Sequence, residues 1–276
     1  MREFLAAYDA MLARWPVAVD TIDVPSVYGT TRVNACGPRD APALVLLHSG
    51  GATSTVWFAN VGELSRARRV YAVDLIGDPG RSVNDGQRLR TASDLMSWLD
   101  GVFDHVGLGQ ADLCGHSYGG WIALSYTLHA PQRVRRLALL DPTKCFAGLR
   151  LSYLLHAAPL LARPSAARAR TFLAWETGGF PLDPGWLDVA ALGAEFPASK
   201  VVMPRRPDPA RLRASTVPTL VLLAGESRSH DIRRVETNAH RTLPVLASAV
   251  LPGVSHHSTP MAHPGELNRR LLQFLA

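Results

Sequence analysis

Short apolar runs alternating with segments of helical periodicity constrain this chain more than any other feature. The runs are Ala43–His48 (ALVLLH), Arg69–Asp74 (RVYAVD), Ala111–Gly115 (ADLCG), Arg135–Asp141 (RRLALLD), Thr219–Ala224 (TLVLLA) and Ala247–Leu251 (ASAVL). They are too short for stable helices and the most apolar have no polar face, so they read as strands, those buried on both faces. Helical patterns fit Thr91–Val106, Tyr118–Leu128, Ile232–Leu243 and Gly265–Leu275. Strands and helices in alternation imply an α/β fold: a mostly parallel sheet with helices on both faces. Two earlier strands, Val19–Val24 and Thr31–Ala35, flank the turn Tyr28-Gly29-Thr30 and complete a set of eight. Ahead of them Phe4, Leu5, Tyr8, Met11, Leu12 and Trp15 recur at helical spacing, interrupted by Glu3 and Asp9, which predicts an amphipathic docking helix.

No strand is convincing between Asp141 and Val217, and the stretch is too long for a plain loop in a compact domain. It is rich in Leu, Ala, Trp and Pro, so it reads as a helical insertion. The expected division is a core of residues 1–141 and 217–276 with a helical cap, or lid, over 142–216 that shields a substrate pocket from water. The cap's aromatic residues are Tyr153, Phe172, Trp175, Phe180, Trp186 and Phe196. They suit an apolar acyl or alcohol moiety, with about half of them expected to be cap core.

Composition narrows the function. The net charge of +6 comes from arginines scattered singly or in pairs, without the basic runs or aromatic-interleaved stripes of nucleic-acid binders. Cys36, Cys114 and Cys145 are an odd set without CxxC spacing, which argues against a disulfide framework and a zinc site. No apolar stretch reaches the ~18 residues that span a bilayer. The expectation is a cytoplasmic protein, monomer or homodimer, acting on a small molecule, with neither a nucleic-acid nor a membrane partner.

The chemistry concentrates in three segments. Gly115-His116-Ser117-Tyr118-Gly119-Gly120 follows one apolar run directly and opens a helical one, the setting in which G-x-S-x-G has meaning. A serine on such a strand-to-helix turn projects its hydroxyl from the sheet beside a helix N-terminus, where developing negative charge is favoured. His48-Ser49-Gly50-Gly51 follows the ALVLL run, and its glycines let backbone N–H groups approach an oxyanion. Gly50 N–H and Tyr118 N–H are the expected donors, with Gly51 the alternative to Gly50. His48 reads as a loop-packing residue. Pro252-Gly253-Val254-Ser255-His256-His257 follows the last strand and offers an imidazole base, His256 in preference to His257. A metal site from His256, His257 and His263 lacks acidic partners. No nucleotide-binding glycine loop is present, and no cofactor is expected.

These segments, in this order, resemble the α/β-hydrolase superfamily over essentially the whole chain. GPRDAPALVLLHSGGATSTVWFANV and YAVDLIGDPGRS look like bacterial carboxylesterases with a short N-terminal helix. The resemblance implies ester hydrolysis through an acyl-enzyme, with Ser117 as nucleophile, His256 as base, and the Gly50 and Tyr118 amides as oxyanion donors. The acid departs from the pattern. In most relatives it stands three residues after the glycine ending the seventh core strand; here that glycine is Gly225 and the position holds Arg228. Asp141, at the end of the preceding strand, resembles the relocated acid of some haloalkane dehalogenases and is preferred. Asp231, which could equally cap a helix, and Glu226 stay open as alternatives, as does a dyad without an acid. A dehalogenase itself would need an aspartate where Ser117 stands. Lactonase, thioesterase, C–C hydrolase, biosynthetic cyclase and hydrolase-fold ligand sensor remain alternative readings of the same scaffold.

Overall fold

The computed structural model describes residues 1–197 and 202–276. In chain order the elements are α1 (Arg2–Leu12), β1 (Asp20–Ser26), β2 (Gly29–Cys36), β3 (Ala43–Leu47), α2 (Val61–Leu64), β4 (Arg69–Val73), α3 (Ala92–His105), β5 (Ala111–His116), α4 (Tyr118–His129), β6 (Val134–Leu140), α5 (Leu151–Ala162), α6 (Ala166–Glu176), α7 (Pro184–Gly193), α8 (Pro209–Arg213), β7 (Thr219–Ala224), α9 (Ile232–Thr242), β8 (Leu246–Leu251) and α10 (Pro264–Leu275). A short 3₁₀ segment, Ser54–Ala59, precedes α2. The eight strands form one sheet in the order β1-β2-β4-β3-β5-β6-β7-β8. Pairings β1–β2 and β2–β4 are antiparallel and the rest are parallel.

Alternation along the strands divides the core into two layers, as the period of two requires. Val45, Leu47, Val73, Leu113, Leu137, Leu139, Val221 and Leu223 face one side, packing with Leu99 and Phe103 of α3, Ile122 and Leu124 of α4, and Val235 and Ala239 of α9. Leu44, Leu46, Val70, Ala72, Leu140, Leu220 and Leu222 face the other, against Phe4 and Met11 of α1, Trp57, and Leu267 and Leu271 of α10. Both faces are covered, which is why the central runs carry no polar alternation. Helix α1 is tied down by more than apolar contact. Tyr8 Oη accepts from Asn34 Nδ2 at 2.7 Å and lies 3.2 Å from Ser54 Oγ, so its buried hydroxyl is satisfied. The three cysteines are buried and free.

Between β6 and β7 the described residues hold four helices and no strand. Residues 198–201 of the expected helical insertion lie outside the described residues. No helix among the described residues is long and apolar enough to cross a membrane.

The topology dictates where a site can form. After β3 the chain moves to β4 on one side and then crosses to β5 on the other, so the loops leaving β3 and β5 diverge at adjacent carboxyl ends. Such a switch point leaves a crevice above the sheet. Leu47 is in register with Gly115, so the loop His48–Gly51 and Ser117 emerge at the same level.

Candidate active site

Ser117 links β5 to α4 with φ 55° and ψ −114°, a conformation that is costly for a residue bearing Cβ. Its surroundings enforce the bend. Ser117 N–H donates to Leu140 O at 3.0 Å, and Ser117 O accepts from Thr143 N–H at 3.1 Å. A Cβ on Gly115 would lie 2.3 Å from Gly119 O, and one on Gly119 would lie 2.4 Å from His48 O and 2.5 Å from Leu47 O. The flanking glycines are therefore required by backbone-to-backbone contact, and the serine between them is pushed up to the crevice.

Three side chains from three strand ends meet there. Ser117 Oγ lies 2.8 Å from His256 Nε2. His256 Nδ1 lies 2.6 Å from Asp141 Oδ2. Asp141 follows β6 with φ 41°, a left-handed conformation that aspartate tolerates better than most residues. Its carboxylate is fully buried and accepts three further hydrogen bonds: from His230 Nε2 at 2.9 Å, Ser227 Oγ at 2.8 Å and Ala224 N–H at 3.1 Å. Burial alone would raise its pKa, but the two imidazoles and their hydrogen bonds hold it well below the usual carboxylate range. His256 shows the complement. Burial disfavours its charged form, yet the hydrogen bond and charge of Asp141, with a contribution from Glu176, raise its pKa above the ordinary histidine value. The pair can thus take a proton from Ser117 and hold it.

Asp231 and Glu226 are not brought to His256. Asp231 is the N-cap of α9, accepting from Arg234 N–H at 3.2 Å on the surface. Glu226 is exposed, and its backbone N–H donates to Val254 O at 2.8 Å. Arg228, three residues after Gly225, lies 5.2 Å over the Trp175 ring.

On the other side of Ser117, a Cβ on Gly50 would sit 3.4 Å from Tyr118 Cβ, so that loop passes directly beside the residue following the serine. Gly51 N–H already donates to Asp78 Oδ2 at 3.2 Å, and burial pushes the Asp78 carboxyl up to about 7. His48 bridges backbone groups: its Nδ1 lies 2.8 Å from Ser49 O, and its Nε2 accepts from Leu75 N–H at 2.9 Å. His257 turns away from Ser117 toward the inserted helices, with its Nε2 3.0 Å from Tyr153 Oη. Burial lowers its pKa to about 4. Tyr153 and Phe172 pack on His257 and Trp175 packs on both of them, whereas Trp186 joins the core, Phe196 packs on Phe4 and Phe180 lies against His263. Among the described residues no group of three or more His, Cys, Asp or Glu could hold a metal ion.

Comparison with known proteins gives the family. A model of the alpha/beta hydrolase family matches residues 44–270. The chain belongs to the α/β hydrolase family. It is similar to carboxylesterase YbfK of Bacillus subtilis, at 29% identity over 99% of this chain and 93% of that protein. It is also similar to the carboxylesterase nap of the same organism, at 29% identity over 98% of this chain and 91% of that protein. Among solved structures, naproxen esterase from B. subtilis superposes with a TM-score of 0.92 at 29% identity, covering 99% of this chain and 97% of that one. Carboxylesterase CesB (YbfK) does so with a TM-score of 0.92 at 30% identity and the same coverage.

Several residues around this α/β hydrolase site escape sequence reasoning. Ser227, Ser229 and His230 wrap the Asp141 carboxylate from the loop after β7, with Ser229 Oγ 3.2 Å from His256 Nδ1. Thr143 Oγ1 lies 3.0 Å from Ser117 Oγ. Glu176, at the end of α6, reaches the loop that carries His256. The run S-R-S-H at 227–230, a polar cluster directly after an apolar strand, is the one sequence signal for them.

Proposed function

We propose that this protein is a carboxylesterase that cleaves a small, partly apolar ester through an acyl-enzyme. Ser117 Oγ attacks the carbonyl while His256 Nε2 takes its proton, and Asp141 orients the imidazole and stabilises its charged form. The Gly50 and Tyr118 backbone N–H groups receive the oxyanion. Gly50 is preferred to Gly51 because the Gly51 N–H is committed to Asp78. His256 then returns its proton to the leaving alkoxide, and water repeats the sequence to release the acid. The observation that carries this reading is the continuous chain from Ser117 Oγ to His256 at 2.8 Å and on to Asp141 at 2.6 Å. It is supported by the full-length similarity to bacterial carboxylesterases.

Residues 1–141 and 217–276 form the catalytic core in this reading, and 142–216 the lid. Tyr153, 6.2 Å from the His256 ring between centroids, brings an aromatic wall from α5 to the base, which suits an apolar substituent on the substrate. The test is hydrolysis of p-nitrophenyl esters of increasing acyl length by the wild type and by Ser117→Ala. Turnover by the wild type with an initial burst, and none above background in the variant, is expected. Equal rates in the two proteins would reject Ser117.

A further inference from the structure

Glu176 is the last residue of α6, and everything local argues against an acid there. The C-terminal end of a helix carries partial negative charge, which disfavours a carboxylate. The side chain is also fully buried, and among the described residues no Lys or Arg pairs with it. A residue that breaks local rules at such expense marks a functional constraint. Its partners identify the constraint. Oε1 accepts from His256 N–H at 3.1 Å; Oε2 accepts from His257 N–H at 3.0 Å and from Ser255 Oγ at 3.0 Å. All three donors belong to the single turn that presents the imidazole.

We propose that Glu176 is a positioning residue through which the inserted helix α6 holds the His256 loop, so that the base is correctly set only when the lid is seated. This rests on the reading of Ser117 and His256 as nucleophile and base. The geometry demands a group that accepts only. Two consecutive backbone N–H groups and a hydroxyl converge on the carboxylate, and an ionised carboxylate alone offers acceptors at both oxygens with no competing proton. With those donors satisfied the loop stays on the ring's working side, where His256 Nε2 meets Ser117 Oγ. The same negative charge lies near the imidazole and helps it to hold a proton, together with Asp141. The other titratable groups facing His256 are His116, His230 and His257, with ring centroids 5.3, 5.9 and 5.0 Å away, and the Tyr153 phenol on α5.

The test compares Glu176→Gln and Glu176→Asp with the wild type. Readouts are p-nitrophenyl ester kinetics from pH 5 to 9 and the rate of fluorophosphonate labelling. Glutamine keeps the shape but puts an NH₂ against one set of donors. It is expected to lower kcat by about 10- to 100-fold with KM changed less than about twofold. The acid limb should move down by roughly half a unit to one unit, because one of the two negative charges favouring imidazolium is gone. Glu176→Asp retains the charge and loses reach, so kcat falls while the acid limb stays. Glu176→Gln with wild-type kcat and an unmoved acid limb would overturn the proposal. If the glutamine variant fails to fold, Glu176→Asp with wild-type kcat would overturn it instead. A wild type that resists labelling would refute the Ser117 reading; a labelled wild type matched in rate by Glu176→Gln refutes only the role of Glu176.

Discussion

Replacing Asp141 by asparagine changes one atom at the point where three strand-end loops meet, and the consequence can be worked out donor by donor. In the native site Asp141 Oδ1 accepts from Ala224 N–H and His230 Nε2, and Oδ2 from His256 Nδ1 and Ser227 Oγ. The Ala224 N–H is fixed by the strand and cannot turn away, so the amide oxygen takes the Oδ1 place. The NH₂ then faces His256 Nδ1 and Ser227 Oγ. Ser227 Oγ can rotate toward Ser229 Oγ, 2.9 Å away, but the imidazole, whose other Nδ1 neighbour is that same Ser229 Oγ at the longer distance of 3.2 Å, is left facing the NH₂. It must offer a lone pair at Nδ1, which moves its proton to Nε2, the nitrogen 2.8 Å from Ser117 Oγ. A ring in that tautomer donates to the serine and cannot accept its proton. Loss of the correct tautomer costs about 10⁴ in kcat in enzymes built on this arrangement, or about 5.5 kcal/mol of transition-state stabilisation. The assay is p-nitrophenyl ester hydrolysis at neutral pH, with circular dichroism to confirm the fold. A folded Asp141→Asn enzyme within about tenfold of wild type would refute the reasoning, since a group that sets the tautomer cannot be lost so cheaply.

Other expectations follow from the same geometry. Asp231→Ala removes the N-cap of α9 and should cost about 1 kcal/mol, seen as a fall in Tm of roughly 2–4 °C, with esterase activity within about twofold of wild type because Asp231 does not meet His256. Gly119→Ala places a Cβ against two carbonyl oxygens at 2.4 and 2.5 Å; it should destabilise by about 3 kcal/mol or more, read by chemical denaturation or loss of soluble protein. The pH profile of kcat/KM should fall on the acid side through a limb lying above histidine's ordinary pKa of about 6.5. His256 is inactive as a base once protonated, and Asp141 raises the pH at which that happens; a limb at or below that value would contradict the assignment.

The fold was legible where periodicity could speak. TLVLLA at 219–224 and the neighbouring runs are apolar on both faces because both faces are covered, and no helix of five or six residues could compete. The edge strand β1, DTIDVPS, is offset from its expected bounds by one or two residues, since it is half exposed and its ends are polar, Asp20 being held by Arg69 and Ser26 by the turn at Gly29, so no apolar period marks where it starts or stops. Helix α2 and the 3₁₀ segment before it were not anticipated, being too short to show a period. In the site, Ser117 and His256 stand out because each has a local reason, a glycine-flanked bend and a loop after the last strand. The acid has none. Whether Asp141 or Asp231 reaches an imidazole depends on which strand end lies beside β5, a fact of sheet order rather than of local sequence. Glu176 is still less visible, since it acts across 80 positions of chain from a helix end that reads like any other.

Whether Ser117 is the atom that bonds to the acyl group is most directly tested by the mass of the intact protein after reaction with a fluorophosphonate, followed by mapping of the modified peptide. A single adduct on the peptide containing Ser117, absent in Ser117→Ala and slowed by orders of magnitude in His256→Ala, is the predicted result. An adduct on another residue, or labelling that survives Ser117→Ala unchanged, would contradict it.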